Sequence, residues 1–287
     1  LGPGFKYHVV SIAAIFFALT IGLVGGSLFL SPQVVRSQSN LLKSLNIKVS
    51  QDIKERDQEL EQTRKCLAAA VPLAVSGKLA GRNIAIVLVG DYPDIADGIR
   101  DILKRAGATV TTVLTIDRGF ARPDDLLVPK LTALHQEDAR IPTDRGAMAA
   151  LVAATLANGD TIKNPVLSVL ERGDFVRLDG ASDYTLRSDT VVIVAGSRVE
   201  GANRISEIDQ PLIEALKNHN LTVAMCEPEH AISSDVPGYH LSGIDVGTVD
   251  NVDSDMGRLA LVFVLRGAKD DYGVKPTAKN DLPPITN

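Results

Sequence analysis

Tryptophan is absent from the 287-residue sequence, and aromatic residues make up only 4% of it. That removes the stacking platform a single-stranded nucleic-acid binder needs. Cationic patches are missing too: 30 Lys and Arg stand against 35 Asp and Glu, and the basic residues are scattered. A net charge of -5 does not attract a phosphate backbone, so nucleic acid is excluded as a partner.

Cysteine occurs twice, at Cys66 and Cys226, and neither belongs to a C-x-x-C or Cys/His zinc spacing. Two readings stand: a pair of packed thiols, or one disulfide tying a stalk to a domain core. Cysteine use therefore assigns no redox compartment.

Signatures of catalysis are also lacking. "VGDYPDIADG" (89–98) follows an apolar run but contains neither G-x-G-x-x-G nor a Walker lysine. "VAGSRVE" (194–200) offers Ser197 without the G-x-S-x-G elbow. His135, His219, His230 and His240 show no recognisable nucleophile to serve, so no enzyme is expected. "DVGTVDNVDSDMG" (245–257) is acidic, but aligned as a calcium loop from Asn251 it places Met256 and Val262 where Gly and Glu are required. Turn-forming and helix-capping roles are expected for its acids.

Only one long hydrophobic run is present. "YHVVSIAAIFFALTIGLVGGSLFL" (7–30) carries no charge between Val9 and Leu30. Those 22 residues, at about 1.5 Å each, span roughly the 30 Å hydrocarbon core of a bilayer. A signal peptide's apolar region is shorter, so an uncleaved anchor in the lipid bilayer is the preferred reading, with cleavage near Gly25–Ser27 as the alternative. Ala14, Ala18, Gly22 and Gly26 recur every fourth residue and share one helix face. Such a stripe is either ordinary small-residue usage or a close-packing face that brings two anchors together. One helix without a polar stripe cannot line a pore alone. Lys6 on one side against Arg36, Lys43 and Lys48 on the other favours a cytoplasmic domain by the positive-inside rule.

Residues 32–70 are rich in Gln, Lys, Glu and Leu and predict a helical stalk. Leu42, Leu45 and Val49 begin a heptad seam, and Ile53, Leu60 and Leu67 continue at intervals of seven. Arg56, Asp57, Thr63 and Arg64 leave that seam half apolar. A coiled-coil dimer and a helix laid against the domain are both compatible with it. Pro72, Gly77 and Gly81 then mark residues 71–82 as a linker.

Residues 83–268 alternate apolar strand runs with amphipathic helices. "IAIVLVG" (84–90), "ATVTTVLTID" (108–117), "TVVIVAG" (190–196) and "LTVAMCEP" (221–228) read as strands. "DIADGIRDILKRAG" (94–107), "DRGAMAALVAATLANG" (144–159), "EIDQPLIEALKNHN" (207–220) and "SDMGRLALVFVLRG" (254–267), with Ser254 as N-cap, read as helices; Asn164-Pro165 is expected to cap one more. The fold class expected is α/β: a doubly wound, mostly parallel sheet behind a transmembrane helix and a coiled-coil stalk. The proline-bearing tail, 269–287, is expected to stay flexible.

Within "MCEPEH" (225–230), Met225, Cys226 and His230 are the candidate metal residues. Thioether, thiol and imidazole suit Cu(I). The competing reading has the two sulfur residues alternating in a buried strand while His230 lies on the surface.

Residues 7–27, together with residues 248–266 inside "GTVDNVDSDMGRLALVFVLRG", resemble the actinobacterial MctB-type copper transporter family. In layout the resemblance covers nearly the whole chain. It implies a single-pass membrane protein of copper homeostasis whose domain faces the extracytoplasmic side, opposite to the charge count, and which acts in transport. Related coiled-coil members imply a second reading: a non-enzymatic homodimeric or higher-order scaffold with an envelope or division partner. No metal-ligand motif transfers from the family, so the Cu(I) assignment rests on residues 225–230 alone.

Overall fold

A computed structural model describes residues 3–29, 32–117, 119–159, 165–179, 187–200 and 204–284, with side chains described from 7–26 and from 40 onward within those ranges. Asn164 lies outside them. The chain divides into two compact units, Leu1–Lys65 and Cys66–Asn287.

The first unit is helical. Helix α1 (Pro3–Phe29) contains a 20-residue segment, Tyr7–Gly26, long and apolar enough to cross a membrane. Its large side chains, among them Phe16, Phe17 and Leu23, are exposed on every side, which suits lipid rather than a water-facing helix. Thr20 donates its hydroxyl to the Phe16 carbonyl at 2.6 Å, so this polar group is satisfied inside the helix. A Cβ added at Gly22 or Gly26 would meet nothing within 4 Å, leaving that face open for a close approach. Helix α2 (Pro32–Val75) follows, with Leu42, Leu45, Val49, Ile53 and Leu60 exposed along it.

The second unit begins inside α2. Residues 71–82, expected as a linker, instead pack on the domain through three buried side chains. Val71, Val75 and Leu79 are buried, and Leu67 packs against the same cluster. Leu67, Val71 and Val75 recur every fourth residue as a helical stripe that Pro72 obscures in the sequence; the helix continues through Pro72 and ends at Val75. Leu79 then donates its N–H to Ala106 at 2.8 Å, and Gly77 and Gly81 turn the chain at φ +71 and +79.

The remaining elements are β1 (Asn83–Leu88), α3 (Ala96–Arg105), β2 (Thr109–Ile116), α4 (Asp124–Glu137), α5 (Arg145–Asn158), α6 (Pro165–Arg172), β3 (Val176–Leu178) and β4 (Thr190–Val194), then α7 (Gln210–Asn218), β5 (Thr222–Cys226), α8 (Val236–Leu241), β6 (Gly247–Val249), α9 (Asp255–Leu265) and β7 (Asp271–Tyr272). The sheet runs β3-β2-β1-β4-β5-β6-β7, and every neighbouring pair is parallel except β2 with β3. Alternate residues of β1 enter opposite layers. Ala85 and Val87 join the layer that holds α5, α6 and α7, while Ile84, Ile86 and Leu88 join the one that holds α3, α9 and the end of α2. Burial on both faces accounts for the unbroken apolar runs. Ser254 caps α9, its hydroxyl accepting the Gly257 N–H at 2.9 Å.

The tail is not flexible across its described length. Strand β7 pairs with β6, and the Asp250 carboxylate accepts the N–H groups of Val274 (2.8 Å) and Lys275 (3.0 Å). Gly273 sits at φ +140 against the Asp250 carboxylate, where a Cβ has no room. Tertiary partners on β6 and its following loop, invisible in a Pro-containing tail, supply this order.

Candidate functional site

Strand β1 is followed by β2 on one side of it, whereas β4 is followed by β5 on the other. The crevice beyond the carboxyl ends of β1 and β4 is thus the topological switch point of the sheet, where open α/β folds bind ligands. Two glycines let the chains meet there. A Cβ on Gly90 would fall 2.5 Å from the Gly196 carbonyl oxygen, and Gly196 itself has φ +88. Asp91 therefore approaches the loop after β4. Its N–H donates to the Gly196 carbonyl (3.0 Å), and its carboxylate accepts the Ser197 hydroxyl (2.6 Å) and the Arg198 N–H (3.2 Å). Arg204 adds a largely buried ion pair with Asp91 at 3.1 Å.

Around this anchor opens a crevice of about 270 Å³, lined by Asp91, Thr115, Asp117, Arg177, Arg198 and Arg204 among others. Arg198 lies over the Tyr92 ring at 4.9 Å and donates to Asp94 at 2.9 Å.

Behind the loops lies a buried acidic chain. Asp235 accepts the Gly196 N–H at 2.7 Å. Glu227, fully buried, accepts the Ser234 hydroxyl (2.6 Å), the Asp235 N–H (3.0 Å) and the Lys275 ammonium (2.7 Å). Tyr239 donates its hydroxyl to one oxygen of Asp209 at 2.9 Å, while the other has no partner among the described residues. Burial pushes the Asp209 carboxyl up to about 8, helped by the Asp235 charge and opposed by the Tyr239 hydrogen bond. Burial likewise raises Asp235 to about 6, against the Gly196 N–H that favours its charged form.

The structure does not bring the candidate metal residues together. Met225 and Cys226 are adjacent in β5, so their side chains enter opposite layers: Met225 with α5 and α7, Cys226 with α3 and α9. Both are fully buried. Burial, reinforced by Glu227, pushes the Cys226 thiol well up, away from the thiolate a metal would bind. Cys66 is exposed and both cysteines are free, so the disulfide reading falls. His230 lies on the surface, bonded through Nδ1 to Asp253 at 2.9 Å, with its ring edge-on to Tyr92 at 5.3 Å. Among the described residues, no group of three or more His, Cys, Asp or Glu could hold a metal ion. The stripe Ala14, Ala18, Gly22 and Gly26 lies in the other unit, on α1.

Sequence reasoning passed over Asp91, Arg177, Arg198 and Arg204. The available signal was paired: "VGDYPD" and "VAGSRVE" each end a buried strand in Gly plus a polar residue, but neither segment carries a motif alone.

A family profile described as "Copper transport outer membrane protein, MctB" matches residues 4–283. Proteins described as "Copper transporter MctB" from Mycobacterium bovis and from two strains of Mycobacterium tuberculosis are each 21% identical over 297 residues. Each alignment covers 91% of this chain and 91% of the relative.

Proposed function

Because the chain belongs to the MctB family, we propose that it takes part in copper transport as a membrane-associated, non-enzymatic protein. The observation that carries this reading is the length of the match, 4–283, which runs from the apolar helix to the ordered tail. Helix α1 serves as the single membrane anchor, and the domain faces the extracytoplasmic side, as the family resemblance implies. A lone apolar helix has no polar face to conduct an ion. Transport then comes from assembly of several copies, with α1 helices meeting along Ala14, Ala18, Gly22 and Gly26.

This reading is tested with the full chain in proteoliposomes that enclose a Cu(I)-sensitive dye. Copper entry is expected, and Gly22→Leu/Gly26→Leu is expected to reduce it at least tenfold. Cys226→Ala, which removes a buried thiol rather than a ligand, is expected to change it less than twofold. Dye response equal to that of empty vesicles would remove the transport role.

The row of apolar side chains exposed on α2 favours pairing of two stalks as a coiled coil. Ile53 and Leu60 continue the seam begun by Leu42, Leu45 and Val49, but Arg56, Asp57, Thr63 and Arg64 interrupt it, so only part of it is apolar and the anchor's tethering contributes to association. The full chain in detergent is expected to have a dimer's mass by light scattering. Ile53→Lys/Leu60→Lys is expected to shift it to the monomer's. An unchanged mass would show that the stalk does not hold the copies together.

A further inference from the structure

The switch-point crevice has no place in the copper reading, yet its charges are arranged for a ligand. The side chain of Arg177, a residue carried on β3, makes no hydrogen bond or ion pair among the described residues. The Asp117 carboxylate, at the end of β2, lacks one as well. Opposite charges thus line one crevice of about 270 Å³ without being bonded to each other. Arg198 spends a single donor on Asp94 and is held by the Tyr92 face, which leaves its other N–H groups directed by a fixed plane. Arg204 is already neutralised by Asp91. The lining is therefore cationic overall, three Arg against two Asp, with one carboxylate left over as an acceptor.

We infer that this crevice is a binding site for a small phosphorylated polyol. Arg177 and Arg198 supply the planar, charge-assisted donors that fit a phosphate dianion. Asp117 accepts hydrogen bonds from hydroxyl groups on the same ligand. The volume lies near the lower end for small-molecule sites, which fits a sugar phosphate and is tight for a dinucleotide. The strand ends hold the donors on a rigid frame, because Gly90 and Gly196 lock the β1 and β4 loops against each other. Binding here is independent of copper.

The test is calorimetric titration of the full chain, copper-free and in a neutral detergent, with ribose 5-phosphate, inorganic phosphate and ribose. Ribose 5-phosphate is expected to bind at least tenfold more tightly than phosphate, and ribose to give no heat. Arg177→Ala, a change at an exposed and unpaired side chain, is expected to weaken the ester at least tenfold without moving the melting temperature. Asp117→Asn is expected to erase most of the ester's advantage over phosphate. Absence of binding by the ester at millimolar concentration, an ester no tighter than phosphate, or an unchanged affinity in Arg177→Ala would each overturn the assignment.

Discussion

Replacing Lys275 with alanine is expected to destabilise the α/β domain by about 3 to 5 kcal/mol, the range seen when one partner of a buried ion pair is removed. Glu227 is fully buried, and the Lys275 ammonium is its only cationic partner among the described residues. The Ser234 hydroxyl and Asp235 N–H remain after the substitution, but neither neutralises the charge. Lys275 also donates to the Pro228 carbonyl at 2.9 Å, so its loss frees the tail from the loop after β5. For a domain of this size the melting temperature is expected to fall by about 10 °C. Glu227→Gln/Lys275→Met, which removes both charges and keeps the stem, is expected to recover at least half of the loss. A Lys275→Ala midpoint within about 1 kcal/mol of the parent chain would show that the pair contributes little.

The second large effect is on pH dependence. Asp209 is held near 8 in the folded protein by burial first and the Asp235 charge second, against about 3.9 in an unfolded chain. The folded state therefore keeps a proton that the unfolded state has already released. Stability on this account is fully present below about pH 4 and declines as pH rises toward 8, by up to about 1.4 kcal/mol per pH unit. Asp235, raised to about 6, adds a second decline confined to the lower half of that window. Asp209→Asn removes the proton exchange. Denaturation of the full chain from pH 6 to 8 is expected to show a falling midpoint in the parent and a nearly flat one in the variant. The variant is expected to be the more stable of the two at pH 8. Parallel profiles would exclude Asp209 as the titrating group.

Much of the domain was legible residue by residue. Strands β1, β2, β4 and β5 and helices α3, α5, α7 and α9 fall where apolar runs, periodicity and caps such as Ser254 place them. The short strands β3, β6 and β7 did not emerge, because two or three residues carry no period and gain their conformation from the neighbour they pair with. The end of α2 is hidden in the sequence for a related reason. Pro72 is strong local punctuation, but burial of Val71 and Val75 carries the helix past it, and the helix ends only at Val75, before Gly77. The sulfur residues failed as a site because adjacency in sequence means opposition in a strand.

The apolar span, the helical stalk segment and the alternation of strands with helices are all present in the local pattern of residues. These follow from composition and from periods of two and 3.6 residues, which act over one turn or one strand. Which charges meet depends instead on the packing of the whole fold. Arg177, Arg198 and Arg204 come from β3 and the loop after β4, and they share a crevice with Asp91 and Asp117 because the sheet reverses its order between β1 and β4. Strand order is set by how whole layers cover both faces of the sheet, a property that no single segment contains.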